Sequence, residues 1–404
     1  ELPSRVVLTL LAAFVPYLAV VYASSTRELG ARWALTTTAA LGVVLVFAPP
    51  VLSDDLYRYL WEGRLWLDGQ NPYRLPPDDP TLAPLRDALW EPINNKPLAS
   101  IYPPLMQVLF VLSALLGGQV WTLKLLALSG LLLTVAVIAR VSKRPGAALA
   151  LGINPLALSE TALNGHFDFL VGGTLLLAAW QIGRRALKSA VWTTCIAVGL
   201  KVVGVVLLPL FWRTKRALAV AVFGSALLLL PMVLARTPDD PTSGPGQFAA
   251  RWQGNDSVHA VVHWLSSQLF DPPTAALVSR GVVAIGLLLV VGLVLRRGRP
   301  PVEAARTLVW ASLLLSPQVH PWYLGWLLPL DLACGGRAAV AWSALVLAAY
   351  EPLDRWVVDG TWEMPLWLQF GEYLLLAAAM GVDRLRARLG LVVEQPNSDV
   401  NSVD

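Results

Sequence analysis

Residues 217–235 read ALAVAVFGSALLLLPMVLA, an apolar run without one ionisable side chain. A helix needs about 20 consecutive, mostly apolar residues to cross the hydrocarbon core of a bilayer. RVVLTLLAAFVPYLAVVYAS at 5–24, LLALSGLLLTVAVIA at 125–139 and VVAIGLLLVVGLVL at 282–295 have the same character. Outward from these, apolar segments also occupy roughly 33–51, 103–117, 147–158, 169–183, 189–211, 304–316, 322–333, 338–350 and 365–382. The pattern predicts an all-α polytopic membrane protein with about 11 to 13 transmembrane helices. Of the 404 residues, 56% are hydrophobic and 14% charged, where soluble domains carry about 25% charged. A soluble globular fold, a nucleic-acid binder and a disordered chain are thereby excluded.

The scarce charge is unevenly placed. Short basic connectors at Arg140/Lys143/Arg144, Arg184/Arg185/Lys188, Arg213/Lys215/Arg216, Arg296/Arg297/Arg299 and Arg384/Arg386/Arg388 mark the cytoplasmic side. Two polar loops, 53–102 and 236–273, then face outward, as do the links near Asn164, His320 and Asp354. Residues 1–390 form one transmembrane domain on this reading, and 391–404 a flexible polar tail. Tryptophans at the ends of apolar runs (Trp61, Trp66, Trp121, Trp212, Trp322, Trp356, Trp362) fit an interfacial belt. The two cysteines, Cys195 and Cys334, lie inside apolar segments and are expected as small core residues. The 189–212 run has basic clusters at both ends and Lys201 in its middle. Either it is two half-helices meeting near GLKVVG with Lys201 at an outward tip, or one helix with Lys201 facing a cavity.

The first loop opens SDDLYRYLWEGRLWLDGQNPYRLPPDDP, residues 53–80. After Asp54 and Asp55 the apolar residues recur at helical spacing, so an amphipathic interfacial helix is expected there. Carboxylates at a membrane boundary are functional candidates, and partial desolvation raises their pKa toward the range of a general base. The alternative is that Asp54 and Asp55 merely cap the helix. Arg58 and Arg64 nearby favour function. Tyr102-Pro103-Pro104 rigidly starts the next helix. Further on, NPLALSETALNGHFDFL places His166 and Asp168, and LLLSPQVHPWYLGWLLP places His320, Trp322 and Tyr323, where apolar runs meet. With Lys201, and with Arg251, Trp252 and Asn255 in the second loop, they suit a phosphate- or sugar-binding site. No HExxH, paired-Cys or EF-hand pattern occurs. No cofactor or resident metal is expected, and a single divalent ion on Asp54/Asp55 stays an alternative.

The ordered set SDDLYRYLWEGR, NPY, IYPPL, NPL, NGHFD, GLKVVGVVLLP and SPQVHPWYLGWLLP resembles the GT-C superfamily of integral-membrane glycosyltransferases. It is most similar to the bacterial polyprenol-phosphomannose-dependent mannosyltransferases, over roughly residues 40–335. The resemblance implies a GT-C fold with a catalytic first outward loop, in a bacterial cytoplasmic membrane with the site facing outward. It implies a polyprenyl-phosphate sugar donor carrying mannose or another hexose, a lipid or glycan acceptor, and inversion. Carried over, Asp55, with Asp54 close second, takes the acceptor's proton. Arg58, Tyr59, Arg64, Tyr102, His166, Asp168, Lys201, Arg251, Asn255, His320, Trp322 and Tyr323 bind donor phosphate or sugar. Two apolar runs precede Asp54 where the superfamily usually has one, which an upstream span or a non-crossing first segment reconciles. The rival reading is a lipid or lipid-linked-sugar flippase. Transporters favour internal repeats around a midplane site, whereas here the polar residues gather at one membrane face.

Overall fold

The computed structural model describes residues 3–24, 30–144, 146–235, 244–361 and 363–389. The tail at 391–404, Trp362, residues 236–243 of the second loop and the side chain of Arg251 lie outside what is described. The described chain is helical, and its one β-type pairing is an isolated parallel bridge between Gly254 and Gln318.

Four helices are long and apolar enough to cross a membrane: Pro3–Ser24, Val120–Val141, Lys215–Leu234 and Pro272–Arg297. Pro155–Leu163 and Asp168–Gly183 form a further apolar pair bent by 118°, the geometry of a broken span or a re-entrant loop. Several other expected crossings, among them Ala31–Val46, Pro104–Leu115 and Leu187–Leu200, are shorter apolar helices. Breaks near Pro, Gly and Lys201 divide what the composition alone presents as continuous runs. The long helices differ in environment. Val120–Val141 has 56% of its apolar window buried in the protein, against 11% to 17% for the other three. It is therefore the most deeply packed of the four, and the others leave most of their apolar surface uncovered. Trp121, Trp212 and Trp356 are exposed as a belt requires, but Trp61 and Trp322 are buried. Cys195 is buried, Cys334 half-buried, and both are free thiols.

Small residues bring the site-bearing helices together. A Cβ on Gly172 would lie 1.9 Å from the Gly325 carbonyl oxygen, and one on Gly173 would lie 2.4 Å from Thr134 Oγ1. Thr134 Oγ1 in turn donates to the Phe169 carbonyl at 2.8 Å. Asp168–Gly183 is thus clamped between Val120–Val141 and Leu324–Cys334, a close backbone approach that membrane helices gain from glycine. Gly172→Val is expected to force the pair apart at a cost of about 1–3 kcal/mol. A lowered thermal midpoint in detergent checks this, and Gly173→Ala should show a milder version.

Two chain reversals shape the site. At Lys201 (φ −156°, ψ 138°) the Leu187–Leu200 helix stops, and Val202–Phe211 continues as a tighter 3₁₀ segment. A Cβ on Gly204 would lie 2.4 Å from the Val198 nitrogen. In one straight helix, residues six apart are about 9 Å distant along the axis. The chain therefore folds back here and puts Lys201 at the turn, which decides between the two sequence readings in favour of half-helices. The second reversal is the 118° corner at Asn164-Gly165-His166, where Gly165 takes φ +80°. A widened helical turn over Ser159–Leu163 leads into it, with the His166 N–H donating to the Glu160 carbonyl at 2.8 Å.

Candidate active site

The expected helix after Asp54 is present as Asp55–Leu67, but it does not lie on the surface. Leu56, Tyr59, Leu60, Trp61 and Leu65 are buried, and so are the polar Arg58 and Glu62. Gly63 sits so close to the Phe110 carbonyl that a Cβ would lie 2.2 Å from it, which seats this helix against Pro104–Leu115. An interfacial amphipathic helix leaves its charges in water. Here Arg58 and Glu62 pair one turn apart at 3.3 Å instead, which lets both faces pack.

Asp54 occupies the N-cap position, yet its carboxylate makes no cap hydrogen bond. Its partner is Asn94, whose Nδ2 donates to Asp54 Oδ1 at 2.5 Å and to Asp55 Oδ1 at 3.1 Å. The capping alternative is thus not what Asp54 does. Both carboxyls are held above the usual range. Burial is the chief cause at Asp54, followed by the neighbouring Asp55, and its pKa is pushed up to about 6. Burial also raises Asp55, opposed by the Asn94 hydrogen bond and by the charges of Arg58 and Lys201.

Asp54 and Asp55 open onto a cavity of about 800 Å³. Arg58, Asn94, Tyr102, Trp252, Asn255, Gln318, His320, Trp322 and Tyr350 contribute to its walls. His166, Trp322 and His320 form a stacked pile, with ring centroids 4.1 Å and 4.2 Å apart. The Tyr59 hydroxyl lies 3.1 Å from His166 Nδ1 and 3.5 Å from Asp55 Oδ2, so the pile reaches back to the carboxylates. Burial and the Lys201 charge hold His320 down at a pKa of about 3, so its ring is neutral and offers hydrogen bonds without a charge. Behind this wall, Lys201 Nζ donates to Asp168 Oδ1 at 2.6 Å. The Trp326 indole donates to the same oxygen at 2.6 Å. The ammonium also lies over the rings of Tyr323 and Trp326, at 5.0 Å and 5.3 Å.

Two cavity walls come from distant loops. Gly254 N donates to the Pro317 carbonyl at 3.1 Å, and Val319 N donates to the Gly254 carbonyl at 3.0 Å. Asn255 takes φ +47° and is held by the last long helix. Its Nδ2 donates to Glu372 at 3.3 Å, and its carbonyl accepts from Tyr373 at 2.5 Å.

The fold thus gathers Asp54, Asp55, Arg58, Tyr59, Tyr102, His166, Asp168, Lys201, Asn255, His320, Trp322 and Tyr323 around one region. Two arginines expected to bind the donor have other partners. Arg64 pairs with Asp87 at 2.5 Å and lines a separate small pocket with Trp61, Leu65 and Leu85. The Arg58 guanidinium is occupied by Glu62 and by the carbonyls of Asn94, Asn95 and Leu98. Asn94, Tyr350 and Trp326 join the site without having been legible in the sequence. The one signal for the first was the polar Asn94-Asn95 turn between prolines. Among the described residues, no group of three or more His, Cys, Asp or Glu side chains is set to hold a metal ion.

Comparison with known proteins gives a consistent family. A family model described as alpha-(1->6)-mannopyranosyltransferase, N-terminal domain, matches residues 5–234. The chain is 29% identical over 370 residues to alpha-(1->6)-mannopyranosyltransferase A of Mycobacterium tuberculosis, covering 81% of this chain and 70% of that protein. It is 25% identical over 393 residues to a probable alpha-(1->6)-mannopyranosyltransferase of Mycolicibacterium smegmatis, covering 77% and 67%. A shorter stretch of 183 residues is 26% identical to alpha-(1->6)-mannopyranosyltransferase A of Corynebacterium glutamicum, covering 43% and 37%. No solved structure gives a significant match.

Proposed function

The chain belongs to the family defined by the alpha-(1->6)-mannopyranosyltransferase N-terminal domain, and from that premise we propose a membrane-embedded glycosyltransferase of the GT-C type. It moves a hexose, mannose on the family's name, from a polyprenyl-phosphate donor to a hydroxyl of a glycan or lipid acceptor. The site faces the outer side of the cytoplasmic membrane. The observation that carries this reading is the Asp54/Asp55 pair, partly desolvated, tied by one amide and open to a large cavity.

The chemistry follows from what such a pair can do. Asp55 takes the acceptor's proton as the oxygen attacks the anomeric carbon, and the bond to the lipid phosphate breaks on the opposite face. One displacement needs one base and inverts the configuration. A phosphate monoester leaves readily, so cationic stabilisation replaces a protonating acid. Lys201 supplies that charge, near enough to Asp55 and His320 to act on both electrostatically. The aromatic rings of Trp252 and Trp356 at the cavity offer stacking surfaces for sugar rings.

Transfer with purified protein, a radiolabelled polyprenyl-phosphate mannose and an α-(1→6)-linked oligomannoside tests the proposal. Absence of transfer with every lipid-phosphate hexose offered would overturn it. The pH profile is a second expectation. The base acts ionised, and its folded pKa is raised, so activity is present above that value and lost as pH falls through it. An ordinary Asp keeps its charge down to about pH 4. With Asp55 raised by burial and its neighbour Asp54 also raised, the acid limb of kcat/KM should lie above that of an ordinary carboxylate. An acid limb near pH 4 would contradict the assignment.

A further inference from the structure

Resting on that reading, we propose that Asn94 is a positioning residue whose single carboxamide holds Asp54 and Asp55 in fixed register as one basic unit. Its Nδ2 carries two hydrogens, and the two carboxylates take them, at 2.5 Å and 3.1 Å. Two adjacent carboxylates otherwise repel and turn apart. A shared donor between them offsets the repulsion and sets the direction of each.

The amide is itself held from behind. Arg58 donates to the carbonyls of Asn94 at 3.2 Å, Asn95 at 2.7 Å and Leu98 at 2.9 Å. Glu62 grips Arg58 and accepts from Ser100 Oγ at 2.7 Å and Gln107 Nε2 at 2.6 Å. Asn95 takes φ +44°, the tight turn that brings the Asn94 side chain round to the helix start. The clamp works through main-chain carbonyls, so it survives truncation of the Asn94 side chain. Only the bridge to the carboxylates is lost. This separates positioning from a structural role in a way a buried core residue would not permit.

The charges facing the pair are Arg58 on the same helix, Lys201 at the 201 turn and Asp168 at the corner after His166. The phenols near it are Tyr57 and Tyr59 on the helix, Tyr102 from the loop, and Tyr323 and Tyr350 from the far wall. The Asn94 side chain donates to the two carboxylates and to none of these groups. A hydrogen bond to the ionised carboxylate favours that form, so its loss raises the pKa of the pair.

Asn94→Ala should lower kcat on the order of 10²-fold near pH 6.5, the cost of misplacing a reacting group by about 1 Å. The donor KM should change little, the acid limb should move to higher pH, and part of the activity should return at pH 8. Asn94→Ser, which keeps one donor, should fall between. Infrared titration gives a readout independent of turnover. The protonated-carboxyl C=O band, assigned through Asp54→Asn and Asp55→Asn, should persist to higher pH in Asn94→Ala. An unmoved limb and an unmoved band overturn the proposal, as does an equal loss at every pH accompanied by a lowered thermal midpoint. Should the wild type transfer no sugar, the transferase reading fails, and the infrared band still decides the role of Asn94.

Discussion

Asp55→Asn should reduce transfer by about 10³-fold to 10⁴-fold, the upper part of the range for removal of a general base. The substitution replaces one carboxylate oxygen by an amide, keeps the size of the side chain and leaves a good first-turn residue at the start of the Asp55–Leu67 helix. The thermal midpoint and the affinity for the polyprenyl-phosphate donor should therefore stay close to wild type. Asp54→Asn should cost less, because Asp54 then still accepts through its carbonyl oxygen while Asp55 keeps its charge. Single-turnover transfer measured beside equilibrium donor binding checks both. If both variants keep full activity, the base lies elsewhere.

The second large effect is expected at Lys201. Lys201→Met removes the charge that acts on the site from behind the ring wall and leaves Asp168 buried with the Trp326 indole still donating to it. Breaking a buried pair from one side costs about 3–5 kcal/mol, so a loss of activity alone would not identify the cause. The double variant Lys201→Met with Asp168→Asn separates the two contributions. It removes the stranded charge and should restore the thermal midpoint. It should not restore transfer, which stays down by about 10²-fold to 10³-fold, the loss typical of one removed electrostatic contact to the transition state. Recovery of both properties in the double variant would make Lys201 a structural residue only.

Much of this site was legible because it depends on local rules. Asp54 and Asp55 stand where an apolar run ends, and the residues after them have helical spacing. Lys201 lies between two basic clusters that cannot both flank a single crossing. Pro103 and Pro104 announce the helix that Pro104–Leu115 forms. What escaped was pairing across the sequence. Nothing near Asn94 says that its amide reaches two carboxylates 40 and 39 residues earlier. Glu160 accepts from the Tyr350 hydroxyl at 2.7 Å, across a separation of 190 residues. Arg58 and Arg64 have the same chemistry and differ by six positions. Helix geometry turns one into the loop clamp and the other toward Asp87. Sequence spacing tells which face a residue shares, whereas burial decides what the face meets. The surface helix expected after Asp54 failed for that reason: its charges had partners in the loop that folds over it.

The two backbone hydrogen bonds between Gly254 and the 317–319 segment have a kinetic consequence. Trp252 and Asn255 flank Gly254, and His320 follows Val319 directly. The segment around Gly254 cannot tilt to admit a molecule without carrying the imidazole with it, and through the stacked rings Trp322 and His166 as well. Admission at one wall is thereby transmitted to the other along main chain, a shorter and stiffer route than side-chain repacking. Such coupling is reciprocal: whichever substrate settles first changes the affinity for the second by the same factor with which the second changes the first. On the proposed function, donor and acceptor sharing this cavity are expected to bind as a cooperative pair.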